Sequence, residues 1–142
     1  MPADQPEIVA PAGFVYVPRA PFVNHVGPLF QAIENAPGEI TLGLNVEHVH
    51  TNTMGFMHGG MIATICDSAM ARAAVFRLNR RTVTLRMGME YFDPVRKGDW
   101  LTAHGRLVEH DGDVAQTECL IRVGGEVRAR GTGVFRLLRA TR

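Results

Sequence analysis

In the stretch Asn52-Thr53-Met54-Gly55-Phe56-Met57-His58-Gly59-Gly60-Met61, a polar, glycine-rich segment gives way to an apolar helical pattern, and Asp67 follows nine residues after His58. Glycines let a ligand approach the main chain, and the first N–H groups of a helix lack internal partners at the positive end of its dipole. Such an entrance can hold negative charge that develops on an oxygen during a reaction. Asp67 stands among Ala63, Met70, Ala71, Ala74 and Leu78. A carboxylate there is costly unless it is hydrogen-bonded, set in a cavity or kept for chemistry. Ionised, it can attack an activated carbonyl carbon or draw a proton from water, and both roles suit acyl transfer. The plainer reading of Asp67 is a helix acid bonded to a neighbour or paired with an arginine; the Gly59-Gly60 entrance favours chemistry. For His58 the plainer reading, a loop histidine bonding backbone, stands level with the catalytic one.

Spacing adds a constraint. Gly59 and Asp67 are eight residues apart, about 12 Å along a helix that rises ~1.5 Å per residue. One chain cannot grip a single carbonyl with both. If both act on one substrate, the Gly59 amide comes from one subunit and Asp67 from another, which requires at least a dimer.

The elements that position these groups follow from periodicity. Ile40, Leu42, Leu44 and Val46 alternate with polar residues and glycine, the pattern of a half-buried strand. Residues 48–60 have no sustained period and form a loop. Ile62, Ile65, Cys66, Ala69, Ala73 and Phe76 then recur at spacings of three and four, one apolar stripe of a long helix whose other side, around Asp67, also consists of small apolar residues. Four strands follow, roughly 82–92, 100–108, 114–123 and 127–138. The separators Asp93-Pro94 to Gly98-Asp99, Asp111-Gly112 and Gly124-Gly125 predict an antiparallel meander. Before all this, residues 24–35 suit a short helix. Pro2, Pro6, Pro11 and Pro18 make residues 1–21 a largely irregular arm with a possible short strand at 14–17. A single long helix that is apolar on two sides calls for one curved antiparallel sheet wrapped around it, an α+β architecture in a single domain over 22–142.

Composition narrows the partners. A chain of 142 residues, 46% hydrophobic and 20% charged, suits one globular domain, and its +1 formal charge gives no electrostatic ground for nucleic acid or an acidic membrane. Cys66 and Cys119 lie in apolar segments and form no disulfide framework; residues 1–10 carry no secretory signal pattern, so a reducing, cytoplasmic location is expected. Residues 61–78 include Asp67, Arg72 and Arg77, which argues for a buried helix and against a membrane span. Glu47, His48 and His50 invite a metal, but no second ligand pair is spaced to complete a site.

From about residue 22 to 135 the chain resembles the hot-dog-fold acyl-CoA thioesterases of the phenylacetate-pathway type, a branch of the 4-hydroxybenzoyl-CoA thioesterase superfamily. The resemblance rests on His25-Val26-Gly27-Pro28-Leu29-Phe30, on Asn52 through Asp67, on Thr82-Val83-Thr84-Leu85, and on Tyr91-Phe92-Asp93-Pro94-Val95 followed by Gly98-Asp99. It implies hydrolysis of an aryl or fatty acyl-CoA without metal or organic cofactor. The Gly59 amide would polarise the thioester carbonyl, and Asp67 would be nucleophile or general base. Asn52 and His58 would orient the loop or the leaving sulfur, and Thr84 would position water. Met54, Phe56, Met57 and Met70 suggest by their residue types an apolar acyl pocket without choosing between aryl and fatty chains. Gly60 and Tyr91 would also contact substrate, and Arg96 or Lys97 would lie near coenzyme A phosphates in a homo-oligomer, a dimer or a dimer of dimers. Thr84 is equally an ordinary strand residue. The arm before Phe22 has no counterpart in shorter relatives. Two other functions compete: an enoyl-CoA hydratase or dehydratase using a His and an acid, and a non-catalytic acyl-CoA-binding module.

Overall fold

The computed structural model of the chain describes residues 7–139. Its elements run β1 (Phe14–Tyr16), α1 (Pro21–Val26), β2 (Phe30–Ala32), β3 (Glu39–Asn45), a 3-10 turn at His48–His50, α2 (Gly59–Leu78), β4 (Thr82–Tyr91), β5 (Trp100–Asp111), β6 (Val114–Val123) and β7 (Glu126–Leu137). All seven strands join one antiparallel sheet in the order β1-β2-β3-β5-β6-β7-β4, with α2 against one face. This is the hot-dog fold. Of the expected arm, residues 1–6 lie outside the described ones; Phe14–Tyr16 pairs with β2. Among the described residues no helix is long and apolar enough to cross a membrane.

Three local expectations differ from the structure. The helix expected at 24–35 lies earlier, at Pro21–Val26, and Phe30 belongs to a strand. Its ring sits with centroids 6.0 Å from Trp100 and 6.2 Å from Tyr16, a tertiary contact that outweighs the local helical spacing. The meander places β4 beside β5, whereas β4 forms the far edge and pairs with β7. The connection between them spends its hydrogen bonds elsewhere: the Phe92 and Asp93 amides donate to the Arg128 carbonyl, and the Val95 carbonyl accepts from Met57 at 2.7 Å. Lastly, Phe76 is exposed, not part of the buried stripe. Just beyond the helix, Arg80 bridges Asp113 and the Leu137 and Leu138 carbonyls.

Alternation in β3, β5, β6 and β7 turns Ile40, Leu42, Leu44, Leu101, Ala103, Ile121, Ala129 and Phe135 into the core under α2. Opposite them α2 buries Met61, Ile62, Ile65, Cys66, Ala69, Met70, Ala73 and Ala74. Along one row the helix and sheet meet without this side-chain layer. A Cβ at Gly105 would lie 2.9 Å from the Met70 amide nitrogen and closer still to the Ala69 carbonyl, and one at Gly131 would strike the Cys66 sulfur. Cys119 stands in register between the two glycines and is fully buried. Its contact with Cys66, together with burial, pushes the Cys119 thiol well above its ordinary pKa.

Backbone cannot yield as a side-chain end does, so Gly105→Ala is expected to lose about 3 kcal/mol or more of unfolding free energy. Gly88 lies on the opposite face, where an added Cβ meets only Thr132 Oγ1 at 3.4 Å. Gly88→Ala should stay within about 0.5 kcal/mol of the parent. Urea denaturation of both variants checks the contrast, and equal losses would refute the claim of backbone contact.

Candidate functional site

Asn52 builds the loop that leads into α2. Its Oδ1 accepts from the Met54 amide at 2.9 Å and the Phe56 amide at 3.2 Å, while its own amide donates to the Phe56 carbonyl at 2.7 Å. His50 is buried and pins the loop from below: Nδ1 accepts from the Glu47 amide, and Nε2 donates to the Val26 carbonyl. Both His50 nitrogens are thus committed to backbone groups. His58 holds the N-cap position with extended backbone, φ −61° and ψ 132°. Its Nδ1 accepts from the Gly60 amide at 2.9 Å, as a capping Asp or Ser oxygen would. The Met61 and Ile62 amides donate to the His58 carbonyl. Among the described residues the Gly59 N–H has no acceptor, leaving it the free donor of the helix entrance.

That entrance forms part of an open apolar cavity of about 310 Å³ lined by Phe56, Met57, Gly59, Ile62, Tyr91, Phe92, Asp93, Pro94 and Val95. The Tyr91 ring stands 3.5 Å from where a Cβ on Gly59 would project, and its hydroxyl donates to the Gly59 carbonyl at 2.7 Å. Burial, and secondarily the nearby Cys66, raises the Tyr91 pKa above its ordinary 10.0 and keeps the phenol a donor.

Farther along α2, half-buried Asp67 accepts a hydrogen bond from Thr84 Oγ1 at 2.7 Å and, among the described residues, enters no ion pair. β4 therefore supplies one partner to each end of this helix segment, Tyr91 to Gly59 and Thr84 to Asp67. Positions 84 and 91 are an odd number of residues apart, so in a regular strand they would face opposite ways. The register of β4 against β7 shifts between Thr84 and Arg86, and this bulge corrects the parity. Met87 and Met89 then pack on the core, while Arg86 and Gly88 line a separate cavity of about 290 Å³ away from Asp67.

The remaining candidates divide. Met57, Gly59 and Tyr91 meet in the cavity. Gly60 is exposed with its amide turned onto His58. Met70 is fully buried in the core beside Gly133, away from the cavity. Arg96 and Lys97 are exposed on the β4–β5 connection; Arg96 lies 5.5 Å over the Phe56 ring, and the Lys97 amide donates to the Gly55 carbonyl. Sequence reasoning missed Ile62, Phe92, Pro94 and Val95 as cavity walls. The Asp93-Pro94 turn signal pointed only to a connection, and the Met57–Val95 contact that closes the wall leaves no periodic trace.

The sequence profile of the thioesterase superfamily matches residues 54–129. Human acyl-coenzyme A thioesterase 13 is 36% identical over 76 residues, 51% of this chain and 54% of that protein. Among solved structures, the TT0310 protein of Thermus thermophilus is 31% identical with a TM-score of 0.76, covering 84% of this chain and 99% of that one. The phenylacetic acid degradation protein PaaI from the same organism, in a mutant form, is 29% identical with a TM-score of 0.76, over 84% of this chain and all of that one.

A phenol whose pKa is higher folded than unfolded keeps its proton longer in the native state. Stability from this group is therefore complete below pH ~10 and falls as pH rises through the folded pKa. With Tyr16→Phe leaving Tyr91 as the sole tyrosine, phenolate absorbance should titrate above the ordinary value in folded protein and return to it in denaturant. Coincident titrations would contradict the assigned environment.

Proposed function

We propose, from the premise that this chain belongs to the thioesterase superfamily and is a thioester hydrolase, that it cleaves an aryl or fatty acyl-CoA by means of Asp67 and the Gly59 amide across a subunit boundary. The observation that carries this reading is the state of Asp67: an acid on the helix flank, bonded only to a hydroxyl and unpaired with any described cation. Half-buried and free of any described cation, the carboxylate stays available to a substrate or a water.

In the proposed reaction the acyl group lies in the apolar cavity and its carbonyl oxygen meets the Gly59 N–H. The Asp67 carboxylate either adds to the carbonyl carbon or takes a proton from a water that does so. The carbon–sulfur bond then breaks. In the water route the proton taken by Asp67 passes to the departing sulfur. In the direct route sulfur leaves as thiolate, water then hydrolyses the acyl–Asp67 anhydride, and the thiolate takes a proton from solvent. Water supplies the second oxygen of the carboxylate product in both routes. Thr84 holds Oδ1 and so aims the other oxygen, or the water, at the carbon. Asn52 shapes the loop, while Arg96 and Lys97 offer positive charge for the phosphates of coenzyme A.

A second copy is supported by two features. Gly59 and Asp67 lie about 12 Å apart along one rigid helix, too far to share a carbonyl. β4 is a ten-residue edge strand with Val83, Leu85 and Tyr91 exposed, the kind of edge that pairing covers. On this reading the dimer pairs further into a dimer of dimers, and two reduced, buried cysteines suit the cytoplasm. Against the hydratase reading, His58 Nδ1 is taken by the Gly60 amide.

Asp67→Asn should lower thiol release from acyl-CoA by about a thousandfold or more while fold and assembly persist. Gly59 is the first helical residue, and the extended backbone of His58 before it tolerates a following proline. Gly59→Pro deletes the amide donor and adds ring carbons, the first of them 3.5 Å from the Tyr91 ring, and should cost about 100- to 1,000-fold in kcat. Gly59→Ala keeps the donor and should retain most activity. Co-assembly of Asp67→Asn with Gly59→Pro chains should restore about a quarter of parental activity, since half of randomly formed dimers regain one intact site. No rescue in verified mixed dimers would refute the shared site, and unchanged turnover in Asp67→Asn would refute the role of the acid.

A further inference from the structure

We propose that Tyr91 and His58 form a two-sided clamp on the Gly59–Gly60 peptide, so that Tyr91 is a positioning residue that aims the free Gly59 N–H. The inference rests on the thioester-hydrolase reading above and adds a role for Tyr91 beyond that of a cavity wall.

The two bonds fall on one peptide unit. The Tyr91 hydroxyl holds its carbonyl oxygen, that of Gly59, at 2.7 Å, and His58 Nδ1 holds its N–H, that of Gly60, at 2.9 Å. Two successive glycines have the widest backbone freedom of any pair, so the first turn of α2 is the part of the helix least able to hold its own orientation. The free Gly59 N–H belongs to the preceding His58–Gly59 peptide, whose carbonyl already accepts from the Met61 and Ile62 amides. Fixing the Gly59–Gly60 plane from both sides places the Gly59 Cα and restrains the remaining rotation about its N–Cα bond, on which the aim of that N–H depends. The Tyr91 bond is not needed to satisfy its acceptor, since a helical carbonyl already meets the amide four residues on and has a second lone pair to spare. Nor is it the only option for the hydroxyl: Tyr91 is half exposed, and water is an available partner. The bond ties the end of β4 to the helix entrance, across the cavity in which a thioester would lie. Tyr91 hydrogen-bonds neither the Gly59 N–H nor Asp67. Its effect passes through the glycine peptide.

Tyr91→Phe keeps the ring against Gly59 and removes only the hydroxyl. The expected result is a fall in kcat of about tenfold with KM changed less than about twofold, because a misaimed donor weakens transition-state binding more than substrate binding. In the same variant, hydrogen exchange at the Gly60 amide, read by NMR, should quicken several-fold while exchange in the middle of α2 does not change. His58→Asn retains an acceptor at the N-cap and should keep slow Gly60 exchange, whereas His58→Ala should lose it. Wild-type kcat in Tyr91→Phe, or a raised KM at unchanged kcat, overturns the proposal and leaves Tyr91 a wall. So does unchanged Gly60 exchange. Should the parent protein release no thiol from any acyl-CoA, the hydrolase reading fails by itself, and Gly60 exchange alone decides the clamp: quickened exchange upholds it and unchanged exchange overturns it.

Discussion

The close seating of α2 on the sheet is the constraint from which the rest of the molecule follows. Helix and sheet usually keep apart by a layer of interdigitating side chains. Here Gly105 and Gly131 remove that layer along one row, Cys119 lies between them in register, and Cys66 and Ala69 present equally small groups from the helix. Sheet backbone rests on helix backbone at Gly105 and on the Cys66 sulfur at Gly131, and both contacts oppose sliding and rolling of the helix. The helix is thus held in both position and rotation, and every group it carries is held with it. Ile65, Met70 and Ala73 are forced into the core, which leaves Asp67 on the flank that faces β4.

β4 converts this fixed helix into a site. A strand of strict period two could turn either Thr84 or Tyr91 toward α2, but not both. The shift in register between Thr84 and Arg86 lets one strand serve two points on the helix. Bulges give up ladder hydrogen bonds, and they persist where re-aiming a side chain repays that loss. At one point the consequence is a hydroxyl on the Asp67 carboxylate, and at the other a phenol on the Gly59 carbonyl. The connection that follows β4 then turns back under the loop at 52–58, and Val95 meets Met57 there. A single departure from regular pairing thus couples the acid, the helix entrance and the cavity wall.

Much of this architecture was legible in the residues. The alternation of Ile40, Leu42 and Leu44, the spacing of Ile62, Ile65, Cys66 and Ala69, and the turn pairs Asp111-Gly112 and Gly124-Gly125 announce β3, α2 and the β5–β6–β7 hairpins, because those patterns are local. What was not legible is non-local. Phe30 leaves a helical spacing to join an aromatic cluster with Trp100 and Tyr16, and β4 crosses to the far edge because its connection bonds to Arg128 and Met57 instead of closing a hairpin. The residue types of the candidate site stood out singly. That Thr84 meets Asp67 and Tyr91 meets Gly59 depends on the bulge, which no composition or period signals. Met70 misled for a related reason: an apolar residue near an acid reads as a pocket wall until helix rotation is known, and here that rotation points it into the core.

The same rigidity explains why one chain would be insufficient for the proposed chemistry. An entrance made of two glycines could in principle unwind and fold back to bring its amide toward an acid eight residues away. His58 caps the Gly60 amide, Tyr91 holds the Gly59 carbonyl, and the body of the helix rests on sheet backbone at Gly105. Each of these opposes unwinding, so the separation of about 12 Å between donor and acid stays a property of the helix. In the proposed dimer, a two-fold axis between neighbouring α2 helices would resolve the distance without distortion, because antiparallel helices place the early turn of one beside the later turn of the other. The edge strand β4 and the half-exposed residues Ala63, Asp67 and Ala71 of α2 remain available to such a partner. Under the proposed chemistry, a helix that so firmly separates amide from acid within one protomer would need a second copy to bring them together.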